Sequence, residues 1–224
     1  MNRLGPRGSP DRYRPRGSVG AGVFDGGMAH DPNTLPDDLP APADDGAADH
    51  LPGTVMPALS LPSTQGGAQR LDRVPGGAAR LVLYAYPRTG VPGQDNPPGW
   101  DAIPGARGCT PESCGFRDHA ADLAALGAAV AGVSTQDTAY QAEAATRLGL
   151  PFPLLADEAL ELTRALRLPT FEASGMTLLK RLTLVLRAGP DGGGAVVEHV
   201  FYPVFPPDTH AEQVLAWLRE QSGA

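Results

Sequence analysis

The chain contains two cysteines, and they stand five positions apart in Gly108-Cys109-Thr110-Pro111-Glu112-Ser113-Cys114. The stretch reads as the start of a helix, with Thr110 as cap, Pro111 at its first position and Glu112 in its first turn. A thiol at a helix N-terminus is biased towards thiolate, and the thiolate is the reactive form. A second thiol nearby can condense with an oxidised first one, so the pair points to redox chemistry. Two blander readings compete. The thiols could be buried and inert, since free cysteine is a common core residue. They could also bind zinc, but structural zinc takes four ligands, and of the five scattered histidines only His119 is local. No metal and no cofactor are expected.

Other elements must position that pair. Arg80-Leu81-Val82-Leu83-Tyr84-Ala85-Tyr86 reads as a strand stopped by Pro87, and its near-continuous apolar run suggests burial on both faces. A Gly/Pro-rich loop containing Trp100 fills residues 88–108; so long a loop is usually functional or disordered. Phe116, Ala120 and Leu123 give the cysteine-bearing helix its buried face. A strand follows at 128–133, then a helix over 138–148 with capping-box spacing at Thr138 and Gln141. An extended piece at 151–155 and a helix near 158–166 come next. Strands at 182–186 and 196–202 flank a Gly/Pro turn at 189–194, and a last helix begins at Asp208 or Thr209, with Thr209 and Glu212 again at capping-box spacing. Asp137, Asp157 and Asp208 read as caps or turn residues, and Trp217 as core. Strands alternating with helices, closed by a hairpin and a helix, predict an α/β domain of thioredoxin-like plan: a central mixed β-sheet flanked by helices on both faces.

Composition sets the bounds. Of 224 residues, 42% are hydrophobic, enough for a globular core. No apolar run approaches the roughly 20 residues of a membrane helix, and no secretory h-region opens the chain. A cytoplasmic setting is therefore expected, where a close cysteine pair is more often catalytic or metal-binding than a structural staple. The net charge of −7 argues against a nucleic-acid partner. Residues 1–20 carry five arginines against Asp11, whereas residues 21–50 carry seven aspartates and no Lys or Arg. A basic arm could touch nucleic acid or membrane. With almost no aromatic or β-branched content, residues 1–50 read instead as a disordered leader, or as following an upstream start with Met28 the first residue. The domain is expected over 51–224, with the 88–108 loop as an insertion.

Several ordered landmarks resemble the peroxiredoxins, in the branch called PrxQ or bacterioferritin comigratory protein. They are Tyr84-Ala85-Tyr86-Pro87, the stretch from Gly108 to Asp118 with both cysteines, Ala131-Gly132-Val133-Ser134, Leu150-Pro151-Phe152-Pro153-Leu154-Leu155-Ala156-Asp157 and Arg181-Leu182-Thr183-Leu184-Val185. The similarity covers roughly residues 51–222. It implies that Cys109 is the peroxidatic and Cys114 the resolving cysteine, and that Arg181 is the electrostatic partner of the thiolate. It also implies a thioredoxin-dependent peroxidase acting on hydrogen peroxide or small organic hydroperoxides. Cys109 sulfenic acid would condense with Cys114, and thioredoxin or a similar dithiol would restore both thiols. Arg88, Arg107 and Arg117 are nearby rivals to Arg181, with Arg117 better suited to a carboxylate. Glu112 could steady Arg181 but reads first as an acid complementing the helix dipole.

One departure stands out. The family places a Pro seven residues and a Thr or Ser three residues before the peroxidatic cysteine. Here the latter position is Ala106, and Pro87 lies 109 − 87 = 22 residues upstream. Thr89 is the residue expected to supply the hydroxyl if the loop bulges outward and returns. Trp100 could then pack over the pocket. The competing function is a peroxide sensor or interaction protein of the same fold, with little sustained turnover. A disulfide exchanger fits less well because its usual spacing is C-x-x-C, and a metal chaperone lacks a Met or His cluster. A monomer is favoured and a dimer is possible.

Overall fold

The computed structural model describes residues 35–36, 38–190 and 193–223. Its frame is a five-stranded sheet in the order β5-β4-β3-β8-β9. These strands are β3 (Arg80–Ala85), β4 (Ala128–Ser134), β5 (Leu154–Ala156), β8 (Leu182–Arg187) and β9 (Val196–Phe201). β3 pairs in parallel with β4 and antiparallel with β8, so the sheet is mixed. Two small hairpins lie outside it: β1 (Ser60–Pro62) with β2 (Ala68–Arg70), and β6 (Thr170–Ala173) with β7 (Met176–Leu179).

The pleat divides the core in two. Leu81, Leu83 and Ala85 point to one face with Leu162 and Leu166 of helix α4 (Glu161–Leu166) and with Leu51, Met56 and Leu71. Val82, Tyr84 and Tyr86 point to the other. There they meet Phe116 of α1 (Cys109–Asp118), Leu123 of α2 (Ala120–Ala125) and Val214, Leu215 and Leu218 of α5 (His210–Ser222). Side chains two apart along a strand share a face, so a strand apolar at every position must be covered on both. Helix α3 (Thr138–Leu148) packs beside β5.

The sequence expectations need several corrections. The expected leader over 1–50 lies outside the described residues through 34. From residue 38 to 50, however, the chain packs on the domain. Ala48 belongs to the core, while Asp45 accepts from Lys180 at 2.6 Å and from the Tyr202 hydroxyl at 2.7 Å. These bonds hold the Asp45 carboxyl well below the usual carboxylate range. Thr110 does not cap α1. Gly108 occupies the N-cap in the left-handed region, at φ 101°. Nor does Thr138 cap α3: Asp137 does, accepting from the Tyr140 N–H at 2.8 Å. Thr209 stands at the N-cap of α5 without a side-chain cap bond. Trp217 is half-buried rather than core, stacked on His199 with Arg80 over its ring. The β6–β7 hairpin has no counterpart among the expected elements. It turns at Ser174 and Gly175, both at positive φ.

Candidate active site

Helix α1 begins where only glycine fits. At Gly108 a side chain would need an unfavourable φ, and its Cβ would collide with the Pro207 ring. The absence of a Cβ lets the helix start against the turn Pro207–Thr209, with Cys109 as its first residue. Below Cys109, Phe116 stacks on Tyr84 at 4.6 Å, and Ser113 hydrogen-bonds the Tyr84 hydroxyl at 3.0 Å. Both contacts fasten α1 to β3.

Cys109 is 3% exposed. Its Sγ receives the Arg88 backbone N–H at 3.4 Å and Nη2 of Arg181 at 3.2 Å. It lies 3.7 Å from the Ala106 carbonyl, to which the thiol form donates. Arg181 arrives from the residue before β8 and is itself buried. Its Nη2 also donates to the carbonyls of Arg107 at 3.1 Å and Gly105 at 3.4 Å. Its Nη1 pairs with the fully buried Glu112 carboxylate. Glu112 is therefore the fixed partner of Arg181, and the preference for a mere dipole-complementing acid is overturned.

The electrostatics follow from burial. One guanidinium faces two groups that can each become anionic. Burial pushes the Cys109 thiol up; Arg181 pulls it down, while a charged Glu112 raises it again. Burial also pushes Glu112 up to about 7, against the pull of Arg181. Near neutrality, protonating Glu112 frees the Arg181 charge for Cys109. Burial disfavours the charged arginine, but Glu112 and Cys109 outweigh it and keep Arg181 a cation. The unpaired N–H groups and dipole of the helix terminus add to the field that favours a thiolate.

The concavity over Cys109 is lined by Arg88, Gly90, Asn96, Trp100, Arg107 and Thr110, with Ala106 and Gly108. Most of these belong to the long segment between β3 and α1, so that segment builds the wall. Trp100 is buried against Phe171 of β6 at 6.1 Å. Arg107 pairs with Asp101 at 2.9 Å, and Arg117 with Asp118 at 2.8 Å. Thr89 is not brought to Cys109. It is buried with its hydroxyl turned to Gln136 Oε1 at 3.5 Å, and its carbonyl accepts from Tyr140 at 2.8 Å.

Cys114 lies half-buried in another groove, lined by Pro92, Pro111, Arg117, Arg147 and Leu148. Burial raises its thiol, and the Arg117 and Arg147 charges oppose the rise. Both cysteines are free thiols on one helix. Among the described residues no group of His, Cys, Asp and Glu is arranged to hold a metal, and no helix is long and apolar enough to cross a membrane.

Two residues of this site were named from the sequence but read first in another role. Glu112 carried a signal, an acid three positions after Cys109, but its burial is a tertiary fact. The hydroxyl of Thr110 looked like a cap because it precedes Pro111.

A buried cysteine at a helix start, under an arginine from a neighbouring strand, on a mixed thioredoxin-like sheet, defines a class of thiol redox proteins. The Redoxin family model matches residues 51–215, and the chain belongs to that family. Its likenesses place it in the peroxiredoxin Q and bacterioferritin comigratory protein branch. It is similar to the chloroplastic peroxiredoxin Q of Oryza sativa subsp. japonica, 32% identical over 62% of this chain and 54% of that protein. Peroxiredoxin Bcp of Escherichia coli (strain K12) is 28% identical over 64% of this chain and 80% of its own. The chain spans about half the length of the first of these relatives. Among solved structures, peroxidoxin BcpB from Mycobacterium tuberculosis superposes with a TM-score of 0.58 at 28% identity, covering 76% of this chain and 98% of that one. Peroxiredoxin Q from Xanthomonas campestris gives 0.55 at 25% identity, over 76% and 96%.

Proposed function

We propose that this chain is a thiol peroxidase that reduces hydrogen peroxide and small organic hydroperoxides through Cys109. The observation that carries the reading is the Cys109 Sγ, buried at a helix start and held by Arg181 at 3.2 Å and the Arg88 N–H at 3.4 Å. The thiolate attacks one peroxide oxygen. An S–O bond forms, the O–O bond breaks, and its electron pair leaves on the other oxygen, which takes a proton. Cys109 is then a sulfenic acid. The Cys114 thiol displaces its hydroxyl as water, giving a Cys109–Cys114 disulfide. A dithiol of the thioredoxin class reduces that disulfide by exchange, entering from the half-exposed Cys114 groove.

The disulfide step requires local unwinding. In a continuous helix, five residues rise about 7.5 Å, whereas bridged cysteines usually have Cα atoms within about 7 Å. Oxidation therefore opens the first turns of α1.

The test is peroxide consumption with thioredoxin, thioredoxin reductase and NADPH. Cys109→Ser should abolish turnover. Cys114→Ser should abolish it or make it depend on an external thiol. Wild-type protein whose Cys109 oxidises without turnover would point to the peroxide-sensor reading instead.

A further inference from the structure

The reaction leaves a developing negative charge on the departing oxygen, and a hydroxyl near Cys109 would stabilise it. At the position three before Cys109 stands Ala106, which has none, and Thr89 directs its hydroxyl to Gln136. One buried hydroxyl beside the pocket is unclaimed. Thr110 lines the same concavity as Cys109, Arg88 and Trp100. It is 2% exposed, and its Oγ1 is buried without a hydrogen-bond partner.

Such an orphan is uncommon, because a buried polar atom left unpaired costs stability. Valine has nearly the same shape and would fill the position without that cost. The position is also inside the helix, where threonine has no capping role and modest helix propensity. Structure alone therefore offers no reason for the hydroxyl, whereas a ligand in the pocket does.

We propose that Thr110 is a catalytic residue whose hydroxyl donates a hydrogen bond to the leaving oxygen of the bound hydroperoxide. The assignment rests on the peroxidase reading. Arg181 and the Arg88 N–H hold the attacking sulfur, and Thr110 serves the other end of the breaking O–O bond. A hydroxyl both donates and accepts, so it can meet the neutral peroxide and strengthen its bond as charge builds. An interaction stronger in the transition state than in the ground state raises the rate rather than merely the affinity.

The experiment compares Thr110→Val and Thr110→Ser with wild type. Three quantities are read: the second-order rate of Cys109 oxidation by hydrogen peroxide, the rate of Cys109 alkylation by iodoacetamide, and the thermal unfolding midpoint. Thr110→Val should oxidise at least tenfold more slowly, about 1.4 kcal/mol of barrier. Its alkylation should stay within twofold and its midpoint should be unchanged or higher. Thr110→Ser should keep most of the oxidation rate. Oxidation of Thr110→Val at the wild-type rate would overturn the proposal. So would equal losses in oxidation and alkylation, which would place the hydroxyl on the thiolate or the helix. Failure of the peroxidase reading itself shows separately, as wild-type Cys109 that does not react with peroxide.

Discussion

Removing the Arg181 charge tests the electrostatic core of the site. Arg181→Met keeps an unbranched, flexible stem and deletes the cation. At the observed 3.2 Å, a unit charge pair in an effective dielectric of about 20 interacts by roughly 332/(20 × 3.2), or about 5 kcal/mol. Glu112 neutralises part of that, and measured hydrogen bonds to charged groups contribute about 1.5–3 kcal/mol. Taking about 3 kcal/mol for the thiolate and its transition state, and 1.36 kcal/mol per decade, the oxidation rate should fall roughly hundredfold at neutral pH. Without Arg181, the Cys109 thiol should also titrate at higher pH. Breaking a buried pair on one side costs about 3–5 kcal/mol, whereas replacing both partners by apolar groups is often neutral. Arg181→Met combined with Glu112→Leu therefore keeps the comparison clear of unfolding. Stopped-flow mixing with hydrogen peroxide gives the rate, and iodoacetamide alkylation against pH gives the thiol titration. If the double variant oxidised within fivefold of wild type, or its alkylation profile did not move up, the assigned role of Arg181 would be wrong.

Further expectations follow from the same contacts. Glu112 titrates at about 7 when folded against 4.5 as a free carboxyl, so it contributes stability at low pH that is lost as pH rises from 4.5 through 7. Over that window the loss is about 3 kcal/mol. Burial holds His210 down to about 4 from 6.5, so its contribution has the opposite sign, present above 6.5 and lost as pH falls through 4. In Glu112→Gln, urea melts should therefore show stability rising more steeply between pH 4.5 and 6.5 than in wild type; an unchanged slope would mean that burial does not raise the Glu112 carboxyl. Gly108→Ala adds a Cβ at positive φ against Pro207, and strain plus overpacking should cost at least about 2 kcal/mol in a thermal melt. Oxidation by one equivalent of peroxide should remove hydrogen-exchange protection from amides 112–114, the first of α1 whose N–H groups are bonded within the helix. Equal protection in both redox forms would mean that no unwinding occurs.

Much of this was legible in the sequence, and the misses share a cause. The run from Arg80 to Tyr86 announced a doubly covered strand, because side chains of both parities are apolar. The cysteine helix and the terminal hairpin were equally plain. The β6–β7 hairpin was missed because each of its strands has only four residues and its turn is a single Ser-Gly. Residues 38–50 have almost no aromatic or β-branched content with which to build a core, yet Asp45 finds Lys180 and Tyr202 across the fold. In the site, the cysteine pair at a helix start was legible from its local context, whereas the roles of Arg181 and Cys109 came from the family resemblance. Thr89 was expected because it follows Pro87, but no local pattern shows which way a long loop turns a hydroxyl. Thr110 read as a cap, and the placement of Gly108 at the N-cap overturns that reading.

The proposed activity depends on oxidation of Cys109 by peroxide and its resolution by Cys114. Mass spectrometry of the reduced protein after one equivalent of hydrogen peroxide tests it most directly. Wild type should lose two hydrogens as a Cys109–Cys114 disulfide, Cys114→Ser should gain one oxygen on Cys109, and Cys109→Ser should be unmodified. Oxidation appearing first on Cys114, or persisting in Cys109→Ser, would contradict it.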